Sequence, residues 1–156
     1  MHDADRMILE HFTAVRARTV ELLAAIPDEM LERTPDSSTM SVGKEIAHLA
    51  RALESWLYHV LEDGAAEPER IGTDRVSIRA ALDHSRDRLL THFTKNDGAN
   101  MSQVIESEYS TGAPVTYIGR ERVLYLTAHE VHHRGRIVVS LRQWGLDRIP
   151  TMPVDW

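Results

Sequence analysis

Four stretches of this chain place apolar residues three and four positions apart, and that spacing restricts the fold more than any other feature. Ile8, Phe12, Val15, Thr19, Leu22, Leu23 and Ile26 draw one stripe along a helix from about Asp3 to Ile26. Pro27 ends it, and RTPDSSTMS (33–41) is a loop of turn formers. Ser41 is placed to cap a second helix, with Glu45 in its first turn. Ile46, Leu49, Leu53, Trp56, Leu57 and Val60 give that helix its apolar face as far as Asp63-Gly64. GAAEPERIGT forms the next loop. Asp74 caps a third helix through Val76, Ile78, Ala81, Leu82, Leu89, Leu90 and Phe93, and Asn96-Asp97-Gly98 stops it. A fourth runs from Gly119 to Trp144 on Val123, Leu124, Leu126, Val131, Ile137, Val138 and Leu141, with Gly145 as the residue that ends it. Residues 100–118 break the period and predict a loop with one extended piece, an ordinary long crossover. LDRIPTMPVDW, with two prolines, predicts a strap along the helices. Four long helices in 156 residues predict an all-α four-helix bundle, one domain over residues 1–156.

Composition narrows the function classes. There are no cysteines, so disulfides and thiolate-held metals are excluded, and any thiol in the chemistry comes from outside the chain. The net charge of −6 gives no general attraction to nucleic acid or an anionic membrane. Arg120, Arg122, Arg134, Arg136 and Arg142 cluster late in the chain, and the expectation for them is a solvated helix face. Charges at Asp3, Asp5, Arg6, Glu10 and Arg16 fit neither a signal nor a transit peptide. No apolar run approaches the ~20 residues that span a bilayer. A soluble cytoplasmic protein is the expectation.

The chemistry concentrates in HEVHHRG (129–135). The string satisfies H-E-x-x-H, the pattern of zinc proteases. On a helix His129 and His133 lie about 40° apart and one turn along, so their imidazoles can converge on one ion. Leu126 and Ile137 fall on the same side, Val131 points away, and Glu130 and His132 each sit ~80° off the pair on opposite flanks. A protease needs a third ligand downstream. None follows: past His133 there is no histidine or glutamate, and Asp147 and Asp155 lie beyond the helix end. The third ligand then has to come from another helix. His48 is the best candidate, on the second helix with Arg51, Ala52 and Ser55 leaving room around it. His2, His11, His84 and His92 have no such spacing and read as surface or boundary residues. Gly135 in mid-helix costs ~1 kcal/mol against alanine, which a close helix–helix approach would compensate.

EIAHLARALESWL (45–57) and LTAHEVHHRGRIVVSLRQWGLDRIP (126–150) resemble the two signature regions of the DinB/YfiT-like superfamily. That family carries one histidine on its second helix and H-x-x-x-H followed by R-G-Q on its last. The resemblance covers most of the chain, including the tryptophan near the end of the second helix and the closing L-R-x-x-G-x-x-x-P. It implies a four-helix bundle with an up-down-down-up connection, often a homodimer, and a divalent ion, nickel or zinc, held by three histidines. Carried over by position, these are His48, His129 and His133. His132 is the alternative to His133, but the family pattern selects the histidine directly before Arg134-Gly135. Arg136 departs from the family's glutamine at a position that is not a ligand.

Three neutral imidazoles leave coordination positions open, which suits catalysis rather than structural support. Such an ion can acidify a bound water or bind a thiol as its thiolate. Characterised members of the family that the chain resembles are transferases or isomerases that use low-molecular-weight thiols such as bacillithiol and mycothiol. The function expected from this resemblance is a metal-dependent thiol S-transferase acting on small electrophiles, with Glu130 as base or orienter. The alternative is a metal-binding bundle with a stress-response or sensing role and no transferase activity, and a third reading leaves the histidines merely hydrogen-bonded.

Overall fold

A computed structural model describes residues 1–36, 38–61, 71–108 and 114–149. The long helices are α1 (Asp3–Ala25), α3 (Val42–Leu61), α4 (Arg75–Thr94) and α5 (Gly119–Gln143), with a single turn, α2 (Asp28–Leu31), after the first. Their ends follow local chemistry. The Ser41 hydroxyl accepts the Lys44 N–H at 3.4 Å, and the Asp74 carboxylate accepts the Ser77 N–H at 2.9 Å. α4 runs into a 3-10 segment (Lys95–Met101) in which Asn96, Asp97 and Gly98 have φ of 51°, 56° and 82°, a left-handed run that turns the chain. Gly145, at φ 88°, closes α5: its N–H bonds to Arg142 and that of Leu146 to Leu141, the paired pattern of a left-handed helix end.

Two apolar clusters fix the helix directions. One gathers Leu22 and Leu23 of α1, Ile46 and Leu49 of α3, Ile78 and Leu82 of α4, and Ile137 and Leu141 of α5. The other gathers Leu9 and Phe12 of α1, Leu53 and Leu57 of α3, Leu89 and Phe93 of α4, and Val123 and Leu126 of α5. Early residues of α1 and α5 therefore share an end with late residues of α3 and α4. The bundle is up-down-down-up, and α1 and α3 each pack against both α4 and α5. α3 and α4 are therefore parallel, with the expected loop between them. Residues 62–70 of that loop, and the Asp63-Gly64 stop expected for α3, lie outside the described residues.

The expected loop at 100–118 differs from the structure. Val104–Glu108 (β1) and Pro114–Ile118 (β2) pair antiparallel, with Ile105 opposite Tyr117, as a hairpin over the α4–α5 end of the bundle. Ile105 is buried and Tyr117 packs against the second cluster. Each strand is only five residues long, too short for alternation to stand out in the sequence. Gly119 follows because a Cβ there would lie 2.1 Å from the Asn100 carbonyl oxygen. Of the tail, Ile149 is buried against the first cluster, and residues 150–156 of the expected strap lie outside the described residues. No helix among the described residues is long and apolar enough to cross a membrane.

Three expectations for α5 change. Leu124 and Val131, counted with its apolar face, are 46% and 41% exposed. Gly135 is exposed, and among the described residues a Cβ there would meet nothing within 4 Å, so no described helix approaches it. Of the five arginines expected on a solvated face, only Arg142 is fully exposed. Arg134 is buried and donates to the Val15 carbonyl at 3.1 Å, Arg136 reaches Glu45, and Arg120 reaches Asp5. The periodicity was right, but long arginine stems can lie along an apolar surface while their heads find carbonyls and carboxylates.

Candidate metal centre

Between the two apolar clusters the bundle interior turns polar. α3 contributes Glu45 and His48, and α5 contributes Glu130, His133 and Arg134. His48, His129 and His133 each offer a ring nitrogen within 4.8 Å of the others. Their ring centroids are 5.3 Å apart for His48–His129, 5.1 Å for His48–His133 and 4.5 Å for His129–His133. The Nε2 atoms of His129 and His133 are separated by 3.1 Å. Two nitrogens each ~2.0–2.1 Å from one ion, at angles between about 90° and 110°, lie ~2.9–3.4 Å apart. The spacing thus fits two ligands of one divalent ion.

The tautomer fits as well. His133 Nδ1–H donates to Glu45 Oε1 at 2.9 Å, which leaves the Nε2 lone pair for a ligand. Arg136 approaches the same carboxylate oxygen at 3.5 Å. Burial, and then the neighbouring His133, lower the pKa of His48, and burial followed by His133 and His48 lowers that of His129 to about 4. Both rings are therefore neutral near pH 7, the form that coordinates metal.

The structure brings His48, His129 and His133 together and leaves Glu130 and His132 apart from them. His132 is exposed, its ring centroid 5.5 Å from that of His133 and outside the cluster. Glu130, expected as base or orienter, turns toward α1. It pairs with Arg16 at 2.9 Å, and the Thr19 hydroxyl donates to it at 2.6 Å, with both charged side chains almost fully buried. Arg16 also contacts Ser85 of α4 at 3.4 Å. Burial pulls the Arg16 pKa down, against the opposing pull of Glu130. The carboxylate at the triad is Glu45, a first-turn acid that the sequence does not mark as a partner of His133. Its spacing was a signal: Glu45 and His48 are three apart and share a helix face. His2, His11 and His84 are exposed and His92 is half-buried beside Asn100, as expected.

The architecture is an all-α, up-down-down-up bundle in which three histidines of the second and last long helices converge and could hold a metal ion. The chain belongs to the DinB family, whose sequence model matches residues 1–154. It is 24% identical over 148 residues to the uncharacterized protein YjoA of Bacillus subtilis (strain 168), covering 92% of each chain. Among solved structures it is similar to a putative DinB family member from Exiguobacterium sibiricum 255-15, with a TM-score of 0.71 at 22% identity over 96% of this chain and 97% of that one. A DinB-like protein from Bacillus cereus ATCC 10987 gives a TM-score of 0.70 at 20% identity, covering 92% and 94%. At these identities the structures bear on the fold alone.

Proposed function

We propose that His48, His129 and His133 hold one divalent ion, zinc or nickel, and that the protein is a metal-dependent thiol S-transferase acting on small electrophiles. The observation that carries the metal reading is the paired geometry at His133, with Nδ1–H fixed on Glu45 and Nε2 aimed with the His129 Nε2 at one point. When bound, the ion supplies a positive centre that acidifies a thiol and holds its sulfur for attack. The chain's part is to keep three imidazoles converged and to leave the remaining positions to ligand. Glu45 orients His133, the part first expected of Glu130. In the transfer the thiol sulfur forms a bond to the electrophilic carbon as the leaving group departs with the bonding pair, and the thiol proton passes to solvent. The absence of cysteine accords with a borrowed thiol.

The test is conjugation of chlorodinitrobenzene by metal-loaded protein with low-molecular-weight thiols, followed by absorbance. Turnover that disappears in His133→Ala is the expected result. Metal binding without turnover on any bacterial thiol would reject the transferase and favour a sensing or stress-response role.

We also propose that the protein forms a homodimer through α5. Leu124, Ala128, Val131, Gly135 and Val139 make an uncharged exposed stripe at helical spacing, and Gly135 at its middle lets a second backbone come close.

A further inference from the structure

Glu45 and His48 stand three apart on α3, and His133 and Arg136 stand three apart on α5, so each pair lies on one face of its helix. The two helices run antiparallel. Glu45, a turn before His48, therefore comes level with Arg136, a turn after His133. The contacts follow that register. The His48 and His133 rings lie 5.1 Å apart between centroids, and the Arg136 guanidinium lies 3.5 Å from Glu45 Oε1. That same oxygen accepts His133 Nδ1–H at 2.9 Å. One carboxylate oxygen thus joins a candidate ligand to a cation one turn further along the same helix.

The Glu45 side chain is 1% exposed and that of Arg136 38%. A buried carboxylate needs charged or hydrogen-bonded partners, and His133 supplies one. A single hydrogen bond constrains the carboxylate along one direction. A second donor to the same oxygen, delivered from the next turn of the same helix, constrains it along another. The head of Arg136 is partly in water, so its direct repulsion of an ion at the triad is screened, whereas its contact with the buried oxygen is screened less.

Building on the triad as a metal site, we propose that Arg136 is a positioning residue of that site. It anchors Glu45 Oε1 against His133 and so holds the His133 ring with Nε2 beside the His129 Nε2 before an ion arrives. Its action runs through Glu45, not through contact with the ion or its ligand. A ligand held in place in advance loses less freedom when the ion binds, which favours binding.

The test is cobalt titration of the full chain, read by the ligand-field bands of the bound ion and by competition with a chelator. Arg136→Met keeps the stem and removes the donors. It is expected to weaken cobalt binding about tenfold and to shift the bands, with helical content unchanged in circular dichroism. Arg136→Lys, which keeps the cation, recovers most of the affinity. In a Glu45→Gln background Arg136→Met changes the affinity by less than about twofold, because the two residues act through one carboxylate. Unchanged affinity and bands in Arg136→Met, or a full loss that persists in Glu45→Gln, would overturn the assignment while leaving the metal reading intact. Tighter binding in Arg136→Met would overturn it too, since repulsion of the ion would then outweigh anchoring. Lost helical content in that variant would make the pair a contact of the fold rather than of the site, and would also overturn it. No bound cobalt in the unaltered protein would overturn the metal centre and the anchor together.

Discussion

Glu45 and Glu130 are both almost fully buried, yet they face different partners, and that difference decides what each contributes. Glu45 accepts the His133 N–H, so Glu45→Gln should lower metal affinity about 10- to 100-fold while the helical content is retained. Competition with a chelator of known affinity measures this. Glu130 answers Arg16 and Thr19 across the bundle. Glu130→Ala leaves the Arg16 guanidinium uncompensated and should cost ~3–5 kcal/mol in a denaturant melt, with metal stoichiometry unchanged. The sequence already contained His129 and His133 as a converging pair, because a four-residue spacing on one helix is a geometric statement, and the family resemblance added His48 from another helix. It did not contain the direction of Glu130. A wheel angle of ~80° off a histidine pair says only that a side chain lies on a flank. Whether that flank meets solvent, a ligand or a buried arginine on another helix depends on tertiary packing.

Among the elements, α5 carries most of the chemistry and presents three faces. One bears His129 and His133 toward α3, a second bears Glu130 and Arg134 toward α1, and a third bears Leu124, Val131 and Val139 outward. If the outward face joins two copies, Val131→Glu should shift the protein from dimer to monomer in light scattering. Gly135→Ala serves as a second reading. In a monomer it should stabilise the exposed helix by ~1 kcal/mol, whereas in a close crossing it weakens the dimer. The four long helices, and such caps and ends as Asp74 on the Ser77 N–H and Gly145 past the last turn, were legible because they rest on local rules, whereas the single turn of α2 was not. The hairpin was not, since Val104–Glu108 and Pro114–Ile118 are held by their pairing and by Ile105 and Tyr117 on the second cluster.

In the bundle as a unit, a polar stretch of α1, α4 and α5 separates two apolar clusters, and α3 adds Glu45 and His48 to it from among the residues of the first cluster. The three histidines, Glu45, Glu130 and Arg16 occupy the polar layer, where buried charge is expensive unless it is paired or ligated. A metal bound there would link α3 to α5. Saturating metal should raise the thermal midpoint by 5 °C or more, on the order expected for a ligand at about 100 times its Kd and a chain of this size. Scanning calorimetry with and without chelator checks it. Fold class and helix directions followed from four apolar stripes and the family likeness, whereas the layering did not, because Arg16 and Ser85 are indistinguishable in sequence from surface residues.

Metal content decides whether this polar layer is a metal centre. Protein purified without an affinity tag, reconstituted with zinc or nickel and freed of loose ions, should hold about one equivalent by mass spectrometry, as one set of three histidines requires. His132→Ala should keep that equivalent, and His48→Ala, His129→Ala or His133→Ala should lose it. Less than about one-tenth of an equivalent in the unaltered protein, or an undiminished equivalent in His133→Ala, would contradict the three-histidine centre.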